Sequence, residues 1–255
     1  MAHDTLVFLG PTLNVATATQ YLNALYLPPA GNGDMIRAVI EHTPKTIALI
    51  DGVFAQSPAV RHKEILWAMS RGVHVYGAAS MGAIRAAELE DFGMIGYGKI
   101  FRWYRRTPFA DDADVAVAMA PAQLGSFPLG VALIDVRLTL KKAARLRIID
   151  SRLQLALETL ARSIHYTEMT YQKLLSNAVI NGIRPSDLDR ITNWLTDGRI
   201  QQKSADAIAL FKHLAQQRHL TKAHNNPRPF EATEAFAHDM AYYDLADEVM
   251  DARNR

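Results

Sequence analysis

The chain has 255 residues, a formal net charge of +2 at pH 7 and a hydrophobic content of 49%. That length can bury a substantial core as one large domain or two modest ones, and we expect two. Because the net charge is close to zero, the composition lacks the basic excess typical of nucleic-acid-binding proteins. We therefore expect no nucleic-acid partner.

The sequence contains no cysteine. This excludes disulfides, a thiolate nucleophile, thiolate metal ligands and a persulfide carried by the chain itself. No stretch approaches the roughly 18 apolar residues of a membrane helix, and the start of the chain lacks a basic region leading into an apolar signal core. We expect a cytoplasmic protein with no membrane partner, whose covalent chemistry would use Ser, Thr, Lys or a carboxylate.

Three short apolar runs, at residues 5–9, 46–50 and 73–76, predict strands. They are continuous rather than alternating, which is typical of strands covered by helices on both faces. Helical patterns follow at residues 14–25, 34–41 and 59–70, with Asn14 and Asp34 as N-caps and Gly72 ending the third. The order predicts an α/β fold with an open parallel sheet and helices on both faces (Rossmann-like), followed by a smaller all-helical domain.

The character of the sequence changes after residue 97. Residues 102–106 form a basic, aromatic cluster, which indicates either a solvated loop with local charge pairing or a docking face for a partner protein. Asp111, Asp112 and Asp114 follow, without the glycine and terminal glutamate of a calcium loop, so no metal site is predicted. Residues 114–119 fit a further strand.

Downstream of residue 130 the pattern is almost entirely helical. Ser151, Thr167, either Ser186 or Asp187, and Ser204 are the predicted N-caps of four helices ending near residues 163, 177, 194 and 217. A basic stripe precedes them, formed by Lys141, Lys142, Arg145 and Arg147. Such a stripe is usually a solvated face, and the alternative is contact with a negatively charged partner.

The predicted domain organisation has three parts. Residues 1–125 form the α/β core and residues 126–222 the helical domain. Residues 223–255 form a linker and a C-terminal helix with a tail, since residues 224–230 contain two prolines.

The predicted strands end in polar or glycine-containing turns. These are residues 10–12 with Gly10 and Thr12, residues 51–54 with Asp51 and Gly52, and residues 77–82. Ligands of open α/β sheets bind at the carboxyl edge, so the convergence of three such turns predicts a site there. Glycine in a tight connection also has a purely structural explanation.

The third turn places Ser80 between a strand and a helix, in the spacing G-x-x-S-x-G. A serine hydroxyl there can attack a carbonyl group, and the amides of Met81 and Gly82 can stabilise the resulting oxyanion. The pattern is related to the nucleophile elbow but does not match it. A small-residue crossing between strand and helix would look the same.

Six sequence blocks, in this order, resemble the core of TfuA-like proteins over roughly residues 5–118. They are FLGPT from residue 8, PPA from residue 28 with Gly33 and Asp34, IDGVF from residue 50, HKEIL from residue 62, YGAASMGAIRAAE from residue 76 and GMIG from residue 93. The resemblance implies a partner of a YcaO-type enzyme, which replaces a peptide backbone oxygen by sulfur during maturation of a ribosomally made peptide. It further implies release of sulfide from a thiocarboxylated ThiS-type carrier, with the precursor peptide as a further candidate partner. We expect no cofactor.

Under this resemblance the candidate residues take roles in acyl chemistry. Ser80 is the candidate nucleophile, Lys63 the first candidate base and His62 the second, and Asp51 would orient the base or position water. Glu64 would pair with Lys63 or Arg85, and Arg85 could hold the anionic end of the carrier. Gly10, Thr12, Gly52, Met81 and Gly82 complete the predicted binding site. Each also has an ordinary interpretation as a turn former or part of a surface ion pair.

Three functions from different classes stay open on this sequence. The first is a serine-assisted hydrolase that liberates sulfide. The second is a noncatalytic subunit that docks on the YcaO-type enzyme and activates it. The third is a nucleotide or phosphate binder, which the sequence supports least because both common phosphate-binding glycine motifs are absent.

Overall fold

A computed structural model describes residues 4–54, 57–107, 110–217, 230–246 and 249. The chain divides into two compact units, one of residues 1–108 with 206–255 and the other of residues 109–205. The first unit thus combines the beginning and the end of the sequence. The boundaries at residues 125 and 222 stay a prediction.

The first unit contains a five-stranded, wholly parallel sheet with the strand order β2-β1-β3-β4-β5. Its strands are β1 (Thr5–Phe8), β2 (Leu25–Leu27), β3 (Thr46–Leu49), β4 (His74–Ala78) and β5 (Ile95–Tyr97). The predicted α/β fold with an open parallel sheet is confirmed. In this order the direction of winding reverses between β1 and β3, which makes their carboxyl ends the topological switch point where such folds bind ligands.

Helices α1 to α5 belong to this unit. They are α1 (Val15–Ala18), α2 (Asp34–His42), α3 (His62–Ser70), α4 (Met81–Leu89) and α5 (Gly98–Arg106). The structure corrects the helix predicted over residues 14–25, because α1 is a single turn and residues 25–27 form the edge strand β2. Residues 102–106, for which a solvated loop and a docking face were both open, form the second half of α5, so the loop interpretation is wrong.

The second unit is helical, as predicted for this part of the chain. It contains α6 (Leu133–Arg145), α7 (Ser151–Ser163), α8 (Tyr171–Ile180), α9 (Pro185–Gly198) and the start of α10 (Gln202–Gln217). Its core holds Leu140, Leu157, Leu174 and Ile191, each almost fully buried. The strand predicted over residues 114–119 is wrong, because a 3-10 turn ends at Asp114 and only an isolated bridge joins Met119 to Pro128.

Several helix starts differ from the predicted caps by one to three residues. Asn14 does cap α1, where its side chain accepts from the Thr17 N–H. Helix α7 is capped by Asp150 rather than Ser151, and α8 by Thr170 rather than Thr167. Helix α2 has Gly33 at its N-cap, so Asp34 is its first helical residue. Arg184 precedes α9, and proline occupies its first turn.

The end of the chain returns to the first unit. The later part of α10 contributes Leu210 and Phe211 to an apolar core that includes Val7 of β1, Ala48 of β3 and Tyr76 of β4. Helix α11 (Glu234–Tyr242) follows and agrees with the predicted C-terminal helix. Apart from Phe230, the predicted linker at residues 224–230 lies outside the described residues.

Candidate functional site

The β4–α4 turn places Ser80 at the carboxyl edge of the sheet. Ala79 has a φ of 67°, a left-handed conformation that is uncommon for a residue with a Cβ. Ser80 is the N-cap residue of α4, but its hydroxyl does not cap the helix. The residue is 8% exposed. The strained turn therefore places the Ser80 hydroxyl at the N-terminus of α4, where it does not form the usual capping hydrogen bond.

The two amides predicted to stabilise an oxyanion behave differently. The Gly82 N–H donates to the Ile50 carbonyl oxygen at 3.2 Å, so it is already used in joining α4 to the end of β3. This corrects the prediction for Gly82. Among the residues that the structure describes, the Met81 N–H has no hydrogen-bond acceptor. The Met81 N–H, next to Ser80, can therefore donate a hydrogen bond to an oxygen that becomes negatively charged during a reaction.

The glycines of the β4–α4 segment allow α4 to lie against the sheet. A Cβ on Gly82 would lie 1.8 Å from the Leu49 carbonyl oxygen, and a Cβ on Gly77 would lie 2.0 Å from the Gly82 carbonyl oxygen. Side chains larger than hydrogen cannot be placed there without moving backbone. The structural explanation for these two glycines is thus correct, and it is compatible with a reactive residue between them.

Asp51 joins the turns after β1 and β3 at the switch point. Its Oδ2 accepts from the Gly10 N–H at 2.9 Å and the Thr12 N–H at 3.0 Å, and its Oδ1 accepts from the Thr12 hydroxyl at 2.6 Å. The residue is only 1% exposed. Two backbone amides that could bind a ligand anion at this edge are therefore occupied by a carboxylate of the chain itself.

The loop after β2 also reaches this edge. Ala30 forms a parallel bridge with Gly52, and a Cβ on Gly52 would lie 2.8 Å from Cγ of Met81. Asn32, in the same loop, has a buried Oδ1 without a hydrogen-bond partner among the described residues. Sequence reasoning missed Asn32, since the only signal was an asparagine between two glycines. An unpaired buried amide oxygen is costly, which is typical of a functional position.

Glu64 is fully buried beneath the starts of two helices. Its Oε2 accepts from the Gly33 N–H at 2.7 Å, and its Oε1 accepts from the Arg61 N–H at 2.9 Å. Burial raises the pKa of Glu64 to about 7, although these backbone hydrogen bonds act in the opposite direction. Glu64 thus caps α2 and α3 and makes neither of the predicted pairings with Lys63 and Arg85.

His62 and Arg85 converge on one carboxylate instead. The Glu88 Oε2 lies 2.8 Å from Nε2 of His62 and 2.7 Å from a terminal nitrogen of Arg85. Burial tends to raise the pKa of Glu88, but the hydrogen bonds from His62 and Arg85 outweigh it and hold that pKa below its usual value. Arg85 also donates to the Val60 carbonyl oxygen at 3.0 Å. The group links α3 to α4.

Lys63 points to the C-terminal part of the unit. Its Nζ donates to the Glu231 carbonyl oxygen at 2.9 Å and lies 5.5 Å from the centroid of the Phe230 ring. Ser80 has no hydrogen bond with Lys63 or His62, the two predicted bases, in the part of the chain that the structure describes. The structure therefore brings together Gly10, Thr12, Asp51, Gly52, Ser80 and Met81, and it holds Lys63, His62, Glu64 and Arg85 in other contacts.

Members of the remaining charged clusters pair with residues on other elements. Arg105 of α5 lies 2.9 Å from Glu90. Asp114 lies 3.2 Å from Arg137, which also contacts Glu158 at 2.8 Å. Within the described ranges, no three His, Cys, Asp or Glu side chains are grouped so that they could hold a metal ion. No helix of that part of the chain is both long enough and apolar enough to cross a membrane.

The strand order, the switch point and the polar turns define the unit as a doubly wound α/β protein with a candidate site at the carboxyl edge. The TfuA-like protein family matches residues 51–170. This match confirms the resemblance to TfuA-like proteins that was predicted from the sequence, and it covers a little under half of the chain. The match begins at Asp51, includes the Ser80 turn and extends through α7 to residue 170. No curated protein has significant sequence similarity to the chain.

Proposed function

We propose that this chain releases sulfide from a thiocarboxylated ThiS-type carrier protein and supplies it to a YcaO-type enzyme for peptide backbone thioamidation. The TfuA-like family match supports the association with YcaO chemistry. The proposal of hydrolysis rests on the Ser80 hydroxyl. It lies at the N-terminus of α4 without capping the helix, and the Met81 N–H is next to it.

The first step is attack of Ser80 Oγ on the carbonyl carbon of the carrier thiocarboxylate. A carbon–oxygen bond forms, the carbonyl oxygen becomes negatively charged, and the Met81 N–H donates to it. The carbon–sulfur bond then breaks. Sulfur leaves as hydrosulfide with the proton that the Ser80 hydroxyl loses, and an ester joins the carrier to Ser80.

The second step restores the enzyme. Water attacks the ester carbonyl, the bond to Ser80 Oγ breaks, and Oγ takes a proton from the water. The carrier leaves with a terminal carboxylate, and the second proton of the water passes to the solvent. Because the anionic sulfur of the substrate itself receives the serine proton, the first step does not depend on the predicted bases Lys63 and His62, which bind other residues.

The small residues around Ser80 suit a substrate that ends in glycine. A carrier of this kind ends in glycine, which has no side chain to clash with the closely packed β4–α4 turn. Asn32, whose buried Oδ1 is unpaired among the described residues, is our candidate acceptor for an N–H of the carrier terminus.

Replacing Ser80 with alanine tests the proposal. We expect S80A to release sulfide from purified thiocarboxylated carrier at least about a thousandfold more slowly than the wild type, because the nucleophile is lost. Sulfide is measured by trapping with a thiol-reactive fluorophore. Ser163→Ala is the matched control, since the Ser163 hydroxyl is exposed at the end of α7 and donates to the Leu160 carbonyl oxygen at 2.8 Å.

Mass spectrometry gives a second measurement. The wild type mixed briefly with carrier thiocarboxylate should show an ester adduct on the peptide that contains Ser80, and S80A should not. Normal sulfide release by folded S80A would contradict the proposal. If S80A still stimulates the YcaO-type enzyme supplied with inorganic sulfide, while the wild type releases none from the carrier, the chain is a noncatalytic activating subunit instead.

The hydrogen bonds at the switch point disfavour the phosphate-binding alternative. The Gly10 and Thr12 amides, which would face a phosphate in such a site, donate to the Asp51 carboxylate. A bound phosphate would have to approach this buried negative charge.

A further inference from the structure

The helical unit contains a cleft of about 1000 Å³ between two of its turns. One is the α6–α7 turn and the other is the α8–α9 turn. Four arginines and two aspartates line this cleft: Arg147, Arg152, Arg184, Arg190, Asp150 and Asp187. A concave surface with this excess of guanidinium groups differs from the convex solvated face that a run of basic residues usually forms.

Only part of this positive charge is neutralised within the cleft. Arg184 forms a two-bond pair with Asp187, with both contacts at 3.0 Å. Arg190 donates to the Arg147 carbonyl oxygen at 3.1 Å, which fixes the α6–α7 turn against α9. The side chains of Arg147 and Arg152 make no hydrogen bond or ion pair with any residue that the structure describes. Two guanidinium groups are therefore open to an anion.

The backbone at Arg147 is unusual for an arginine. Its φ is 57°, and its N–H and that of Ile148 donate to carbonyls of the last turn of α6. Gly182 occupies the same position in the α8–α9 turn, with the same pattern of hydrogen bonds and a φ of 86°. Glycine is the residue preferred there. Arg147 is thus an unfavourable residue for the α6–α7 turn, and its side chain is unpaired within the described residues. A charged residue retained at a cost to the turn indicates a role in binding.

Apolar side chains accompany the arginines. Ile148, Leu153 and Ile183 also line the cleft, and each is partly buried. None of the residues found to line the cleft is aromatic. Single-stranded nucleic acids are usually held by aromatic stacking, and an inorganic anion gains nothing from leucine or isoleucine. Carboxylates next to aliphatic side chains match the surface better.

We propose that this cleft binds an acidic peptide segment. Its carboxylates pair with the guanidinium groups of Arg147 and Arg152, in the forked geometry that arginine forms with carboxylates. Its aliphatic side chains contact Ile148, Leu153 and Ile183, which line the same cleft. This inference does not depend on the proposed hydrolysis, because none of these residues takes part in the reaction at Ser80.

Fluorescence anisotropy with the full chain tests the site. The probe is a short labelled peptide that contains glutamate and leucine, and a matched peptide carries glutamine in place of each glutamate. We expect the wild type to bind the glutamate peptide at least about tenfold more tightly than the glutamine peptide, and more weakly as salt is added.

Two cleft variants and one control test whether Arg147 and Arg152 bind the peptide. Arg147→Gly and Arg152→Gln should each weaken binding of the glutamate peptide about tenfold. Arg147→Gly should also leave the melting temperature unchanged or higher, because glycine fits the left-handed turn. Arg145→Gln removes the same charge from exposed α6 outside the cleft lining, and we expect it to bind nearly as the wild type does.

Three outcomes would overturn the proposal. They are equal binding of the two peptides, an equal loss of binding in Arg145→Gln, and full binding by a folded double variant of Arg147 and Arg152. Tighter binding of a single-stranded oligonucleotide than of the glutamate peptide, abolished by the same two substitutions, would show that the occupant is a nucleic acid. Catalytic sulfide release by Arg147→Gly should match the wild type.

Discussion

At the scale of single residues, buried carboxylates organise the carboxyl edge of the sheet. Asp51 and Glu64 both accept backbone N–H groups from loops that are distant in sequence. The sequence marked both residues as candidates, but it assigned Asp51 to orienting a base or water and Glu64 to pairing with Lys63 or Arg85. Their partners lie 39 residues away for Asp51 and Thr12 and 31 residues away for Glu64 and Gly33. No local pattern specifies such contacts, because they depend on which strand ends become neighbours.

Glu64 should make the stability of the chain depend on pH. Its pKa of about 7 in the folded protein lies above the ordinary value of 4.5, so the folded state binds this proton more tightly than the unfolded state does. The resulting stabilisation is complete below pH 4.5 and is lost as the pH rises through 7. We expect the free energy of unfolding of the wild type, relative to Glu64→Gln, to fall by about 3 kcal/mol across that range.

Urea unfolding at a series of pH values measures this difference. Glu41→Gln is the control, since Glu41 is 58% exposed and should show little change relative to the wild type. A constant difference between the wild type and Glu64→Gln from pH 4.5 to pH 7 would mean that Glu64 stays ionised when buried.

At the scale of elements, the distance between α4 and the sheet depends on Gly77 and Gly82. Gly82→Ala places a methyl group 1.8 Å from the Leu49 carbonyl oxygen, so the helix must move. We expect a loss of about 3 kcal/mol in the free energy of unfolding, together with displacement of Ser80 and loss of sulfide release. Urea unfolding and the sulfide assay measure the two effects.

Gly72→Ala is the matched control for Gly82→Ala. Gly72 has a φ of 81°, but apart from its chain neighbours no atom of the described residues lies within 4 Å of the position that a Cβ would occupy, so the backbone conformation is what opposes the substitution. Gly72→Ala should lower the free energy of unfolding by about 1 kcal/mol and leave sulfide release unchanged. Equal losses of stability in the two variants would show that close packing at α4 is not the reason for Gly82.

Elements with strong local patterns were predictable, and weakly patterned ones were not. Strands β1, β3 and β4 are continuous apolar runs buried on both faces, and α7 has a clear apolar stripe. The missed strands β2 and β5 have three residues each and lie at the sheet edges, where residues are partly exposed. Residues 114–119 have the composition of a strand but lack a neighbouring strand to pair with.

At the scale of the whole molecule, sequence order and structural units do not coincide. The later part of α10 belongs with the sheet that begins the chain. Phe211 is fully buried, and its ring packs edge-on against Tyr26 of β2 with the ring centroids 6.2 Å apart. We expect Phe211→Ala to lower the free energy of unfolding by about 4 kcal/mol and to destabilise the sheet more than the helical unit.

Hydrogen exchange measured by mass spectrometry can locate this effect. In Phe211→Ala, amide protection should fall in β1 and β3, although these strands are more than a hundred residues earlier in the sequence. Protection in α7, whose side chains pack in the core of the helical unit, should stay near the wild-type level. Loss of protection confined to α10 would contradict the assignment of Phe211 to the core of the sheet.

This arrangement has a consequence for synthesis on the ribosome. The five strands leave the exit tunnel long before Leu210 and Phe211, so one face of the newly made sheet stays uncovered while the helical unit is translated. The helical unit has its own core and can fold during that interval. The first part of the chain to be made is therefore among the last to reach its final packing.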